Sequence, residues 1–149
     1  MRIDEEIQST NFEDNYHKAV ININYTYGWL NNVWRCHFEK HKLTSQQFNV
    51  LRILRGQYPN PATVNLIKER MLDKMSNASR IVDRLVQKGL VSRCTNNKDR
   101  RAVDIRISDL GLETLAKMDS EFKTKEFLKS NLTDEEAGKL SDLLDKLRG

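Results

Sequence analysis

Proline, cysteine and glycine are all scarce in this chain, at 2, 2 and 6 of 149 residues. Both prolines fall in Tyr58-Pro59-Asn60-Pro61 and mark a single sharp break. The two cysteines, Cys36 and Cys94, lie far apart without CxxC spacing, so neither a zinc module nor a disulfide scaffold is indicated. No glycine-rich loop could cradle a phosphate, and no nucleophile–base pair or complete metal-ligand set is legible. An enzyme and a bound cofactor are therefore not expected. No apolar run is long enough to cross a membrane, and the opening MRIDEEIQST is too polar for a signal peptide. A reduced, cytoplasmic setting is the expectation.

What the chain has is unevenly placed charge. The formal net charge is only +4. Yet Thr44 to Arg106 holds 13 Lys and Arg against 5 Asp and Glu, while the remainder holds 12 against 16. A basic centre between acidic ends suits a polyanion-binding lobe carried on helices with another task. Without a motif inside the basic block, the same figures would describe an ordinary soluble surface.

The basic block contains such a motif, from Asp73 to Ile107. Met75, Ala78, Ile81, Val82, Leu85 and Val86 recur at helical spacing and form an apolar stripe. Lys74, Asn77, Arg80, Arg84 and Lys88 recur on the opposite face. Asp73 is placed to cap this helix and Gly89 to end it. The period then becomes two, with Val103, Ile105 and Ile107 facing a partner strand at Leu90 to Thr95. Between the strands lies a polar turn, Asn96-Asn97-Lys98-Asp99-Arg100-Arg101. A cationic helix followed by a hairpin with a cationic tip is the outline of a winged helix-turn-helix.

Capping signals order the rest. Thr10-Asn11-Phe12-Glu13 has capping-box spacing before some eight turns of helical periodicity ending near Phe38. A helix that long needs an extended surface to pack on, which a dimer interface supplies. Residues before Thr10 are expected to fray or to lie along a partner. Thr44 and Gln47 form a second box, opening a helix with Phe48, Leu51, Ile53 and Leu54 inside. Thr63 can cap a short helix through Met71, the first of the helix-turn-helix pair. Ser108 can cap a helix running to about Leu128, and Thr133 with Glu136 opens a last one. The fold expected is mainly α with a small β-hairpin wing. Residues 1–42 would form an N-terminal dimerisation helix, 43–108 the DNA-binding lobe and 109–149 the C-terminal dimerisation helices, in one intertwined domain.

The runs DRLVQKGLVSR and NNKDRRAVDIRIS, followed by Gly111, resemble the signature of the MarR family of bacterial transcription regulators. The likeness extends less sharply over nearly the whole chain. It implies a homodimer on a pseudo-palindromic operator of double-stranded DNA, most simply a repressor, released by a small molecule or by thiol oxidation. On the recognition helix, Ser76, Asn77 and Arg80 would meet base edges or nearby phosphates, since arginine pairs with guanine and asparagine with adenine. Arg84 and Lys88 suit phosphates or acidic neighbours. On the wing, the family's Asp-x-Arg pattern falls on Asp99 and Arg101, the aspartate orienting the arginine toward the minor groove or backbone. Lys98 and Arg100 would add salt-sensitive phosphate attraction. Many relatives carry a serine or threonine just before the recognition helix, where this chain has Asp73-Lys74.

Two further features have competing readings. Tyr16, Tyr27 and Trp34 on the first helix could line a pocket for a small aromatic effector, as the resemblance suggests. They could equally be core or interface packing. Cys36, His37 and His41 invite comparison with a redox or metal site, and some relatives do sense zinc. Residues 36 and 41 would nevertheless point apart, and no second cluster completes four ligands. The alternative to a DNA reader is a winged-helix module that meets an acidic protein partner.

Overall fold

The computed structural model describes residues 1–96 and 103–149. Lys98, Asp99, Arg100 and Arg101, to which the sequence gives the wing's tip, lie outside the described residues. Four helices start where a hydroxyl was placed to cap them. Thr44 opens α3 (Ser45–Gln57), Thr63 opens α4 (Val64–Arg70), Ser108 opens α6 (Asp109–Glu121) and Thr133 opens α8 (Asp134–Arg148). Each hydroxyl oxygen accepts a backbone N–H three residues on, at 3.1–3.2 Å. Gln47 and Glu136 reach back to complete the boxes at Thr44 and Thr133.

The other starts differ from expectation. The long helix α2 (Asn15–Lys40) is capped by Asp14, whose Oδ1 accepts from His17 N at 2.8 Å, so the Thr10 box is not used. It spans about seven turns. The residues before it do not fray. They form a single helical turn, α1 (Ile3–Glu6), with Ile3 buried and Glu6 accepting from the Tyr25 hydroxyl of α2. Helix α5 (Ala78–Gln87) is capped by Asn77, four residues after Asp73. Met75, placed by periodicity in the apolar stripe, is 93% exposed before the helix begins. The helix expected from Ser108 to Leu128 is broken at Phe122 and Lys123, which are extended, and resumes as the short α7 (Thr124–Leu128). No local breaker explains this. The Phe122 ring sits 4.3 Å from that of Trp34 and 5.5 Å from that of Phe127, and this packing bends the chain.

Strands β1 (Val91–Thr95) and β2 (Val103–Ile107) pair antiparallel, Val91 opposite Ile107 and Thr95 opposite Val103. The other side of β2 is also bonded, because Ile105 exchanges both backbone hydrogen bonds with Ala62. This stitches the hairpin to the α3–α4 connection. The core lies beneath, where Val50, Leu51 and Leu54 of α3, Ile67 of α4, Val82 and Leu85 of α5 and Ile105 of β2 meet Leu115 and Met118 of α6. All are essentially inaccessible to water. By contrast α2 buries only Phe38, and α8 buries no residue at all. No helix among the described residues is long and apolar enough to cross a membrane.

The end of α5 and the start of α6 meet at one corner. Gly89 has φ +71°, and its N–H bonds to the Val86 carbonyl while that of Leu90 bonds to Leu85, a Schellman ending. Ser108 Oγ donates to the Gly89 carbonyl at 2.7 Å, and Ser108 N bonds to Leu90 O at 3.0 Å. Gly111 lies against the same Leu90 carbonyl: a Cβ built there would stand 2.4 Å from Leu90 O and 2.7 Å from Ile107 Cγ1. The glycine is needed for close approach, not for its backbone angles.

Candidate nucleic-acid interface

Helices α4 and α5 form a pair, with the six residues Met71 to Ser76 between α4 and the Asn77 cap. Lys74 donates from Nζ to the Glu69 carbonyl and so closes that connection onto α4. Asp73 folds it further, its carboxylate accepting from Met75 N at 3.0 Å and from Ser76 Oγ at 2.6 Å. The Ser76 bond, ahead of the Met75 bond, holds the Asp73 carboxyl below its ordinary range. Asp73 therefore serves the turn, where the sequence placed it as helix cap.

Asn77 takes that role. Its Oδ1 accepts from Arg80 N at 3.0 Å. A residue expected at base edges thus has its acceptor engaged by the helix, leaving its amide hydrogens to face outward. Arg80 is exposed one turn later, and its guanidinium makes no hydrogen bond or ion pair with the described residues. Arg84 follows on the same face, with Nη1 donating to Gln87 Oε1 at 3.1 Å. Lys88 turns inward, donating to the Lys42 carbonyl and to Gln47 Oε1. Asp83, the acidic residue on this face, is ion-paired with Arg93 of β1, so its charge is met.

Ser76, Asn77, Arg80 and Arg84 line one open groove, and the structure adds residues that periodicity did not find. Thr44, Gln46 and Gln47 at the start of α3 form its other wall. The capping box at Thr44 was legible. That it would stand beside α5 depends on tertiary packing between segments about 30 residues apart in the chain. Toward the tip end of the hairpin Asn96 Nδ2 donates to Asp104 Oδ1 at 2.8 Å, and near its base Arg106 Nη1 donates to the Pro59 carbonyl at 2.7 Å.

The three aromatic residues proposed for an effector are not brought together. Tyr16 is 84% exposed near the start of α2. Tyr27 lines two clefts between α2 and the lobe, shared with Asn31, Ser45 and Gln46. Trp34 packs against Phe38 and Phe122 at the edge of the core.

A helix pair whose second member exposes arginines, flanked by a two-stranded hairpin, is a winged helix-turn-helix. A model of the MarR family matches residues 43–103. The chain is 32% identical over 108 residues to the uncharacterized HTH-type transcriptional regulator YpoP of Bacillus subtilis, covering 71% of this chain and 74% of that protein. It is 40% identical over 73 residues to the HTH-type transcriptional repressor MdtR of the same organism, covering 49% of this chain and 46% of that one. In three dimensions it resembles a mutant form of MarR from Escherichia coli complexed with operator DNA. That likeness has a TM-score of 0.74 and 24% identity, over 84% of this chain and 89% of the other. The chain belongs to the MarR family of transcription regulators.

Proposed function

We propose that the protein is a homodimeric, sequence-specific reader of double-stranded DNA that represses transcription from a pseudo-palindromic operator. The observation that carries this is the exposed face of α5, where Arg80 stands without a partner among the described residues, beside Arg84 and above the Asn77 cap. Arginine at such a position can pair bidentately with guanine in a major groove. Ser76 and the Asn77 amide hydrogens reach phosphates or base edges at the helix start. Lys98, Arg100 and Arg101 add cationic contacts from the wing, with Asp99 orienting Arg101. The E. coli relative complexed with operator DNA, similar in fold, supports the reading.

Dimerisation is supported by apolar residues that a single chain leaves open. On α2, Tyr16, Val20, Ile23 and Tyr27 recur at helical spacing and are exposed. On α8, Leu140, Leu143 and Leu147 are 47%, 64% and 62% exposed. An isolated 15-residue helix is marginal in water, so α8 needs a surface to pack on. Residues 1–42 and 109–149 supply that contact, and 43–108 the reading lobe. The clefts beside Tyr27, between α2 and the lobe, are where a small aromatic effector would shift the spacing of the two lobes and release the operator.

The test is selection of bound duplexes from a random DNA pool at near-physiological salt. Enrichment of an inverted repeat with half-sites about one turn, roughly 10 base pairs, apart supports the proposal. Only weak, salt-sensitive retention with no enriched sequence overturns it in favour of a protein partner.

A further inference from the structure

The last turn of α2 carries His37, with His41 just beyond it, and their ring centroids are 5.4 Å apart. Glu121, the last residue of α6, packs against them. Its Oε2 lies 2.9 Å from His41 Nε2 and 2.9 Å from Lys40 Nζ. One ligand atom from each of His37, His41 and Glu121 falls within 4.8 Å of the others. Around four-coordinate zinc such atoms stand about 3.4 Å apart, so side-chain shifts of about 1 Å close the set. Cys36, weighed with these histidines in the sequence, is exposed and is not part of the cluster.

The chemistry of the three donors agrees. Two imidazole rings and a carboxylate are donors that zinc takes. The His41 side chain is only 8% exposed and that of Glu121 23%. The Met118 carbonyl faces the His37 ring, the kind of outer partner that fixes the tautomer of a ligating histidine. The rings of Trp34 and Phe122, centred 6.4 and 5.5 Å from that of His37, wall one side against water. Lys40 competes for Glu121, but its side chain is 62% exposed and free to swing outward.

The geometry points to His37, His41 and Glu121 as a binding site for a zinc-class divalent cation, with water completing the coordination. The ion ties the end of α2 to the end of α6. It replaces the Lys40 ion pair with a metal-bridged link between the same two helices. Nothing in this inference requires DNA, and it stands or falls apart from the regulator reading.

Full-length protein, stripped of metal, is titrated with Zn²⁺ against a chromophoric chelator in the absence of DNA. A single competing site per chain is expected in wild type and in Cys36→Ser, and its loss in Glu121→Gln and in His41→Ala. Ring-nitrogen resonances of His37 and His41 in the wild type shift on adding Zn²⁺. This reading on the wild type and the near-isosteric Glu121→Gln keep the test independent of any folding defect in His41→Ala. Wild type with no stoichiometric site, variants that bind equally well, or unmoved histidine resonances would overturn the assignment.

Discussion

At the scale of single residues, Gly111 and Asn77 carry the sharpest consequences. A methyl at Gly111 meets a backbone carbonyl, Leu90 O, and the Ile107 side chain, and neither has room to withdraw from a packed corner. Gly111→Ala should cost about 1–3 kcal/mol, measured as a lower urea midpoint with an unchanged slope. Asn77→Ala removes a cap and should cost about 1 kcal/mol, whereas Asn77→Asp should cost little. Asn77→Ala should therefore weaken binding to every DNA sequence by lowering the population of the ordered α5 start. If it instead changes base preference at unchanged stability, the residue reads bases and the capping bond is secondary. The residue types of the proposed reading face were visible in the sequence. That the Asn77 acceptor is committed to the backbone was not, because both Asp73 and Asn77 are good caps and spacing alone cannot choose between caps one turn apart. Thr10 and Asp14 pose the same ambiguity.

At the scale of elements, the exposed arginine of α5 allows a clean separation of roles. Arg80→Ala removes no contact seen among the described residues, so stability should hold while affinity for the selected operator falls by about 1–3 kcal/mol and discrimination relaxes at one base position. Equal affinity for wild type and variant, by fluorescence anisotropy at moderate salt, would remove α5 as the reading helix. Most elements were legible because their ends are marked locally: hydroxyl caps at Thr44, Thr63, Ser108 and Thr133, a glycine at position 89, prolines at 59 and 61. The break after α6 was not. Its cause is the packing of Phe122 on Trp34, far away in the chain, and no local pattern encodes it. The cluster of His37, His41 and Glu121 was half legible for the same reason. The two histidines share a helical spacing, but Glu121 joins them only through the fold.

At the scale of the molecule, apolar residues of α2 and α8 are left facing water in one chain. Leu143→Glu, on the most open part of that α8 face, should shift the proposed dimer toward monomer in light scattering and lower the helical signal, because α8 then lacks a surface to pack on. Operator affinity should fall with it, since two half-sites bound together gain avidity that one lobe cannot. An assembly state unchanged from wild type would overturn α8 as part of the proposed dimer contact. The periodicity of α2 suggested an interface from length alone. The sequence also assigned 109–149 to dimerisation, and the structure adds which α8 residues, Leu140, Leu143 and Leu147, are left exposed.

The corner where Ser108 bonds to Gly89 and Gly111 lies under Leu90 joins three elements by their ends. Helix α5, the base of the hairpin and helix α6 are fastened there like spokes to a hub. A push on the far end of α6 therefore cannot re-aim the arginines of α5 by themselves; it swings helix and hairpin base together, as one arm of a lever. In the proposed dimer, grip on DNA would then be lost by changing the distance between two intact hands, not by loosening the fingers.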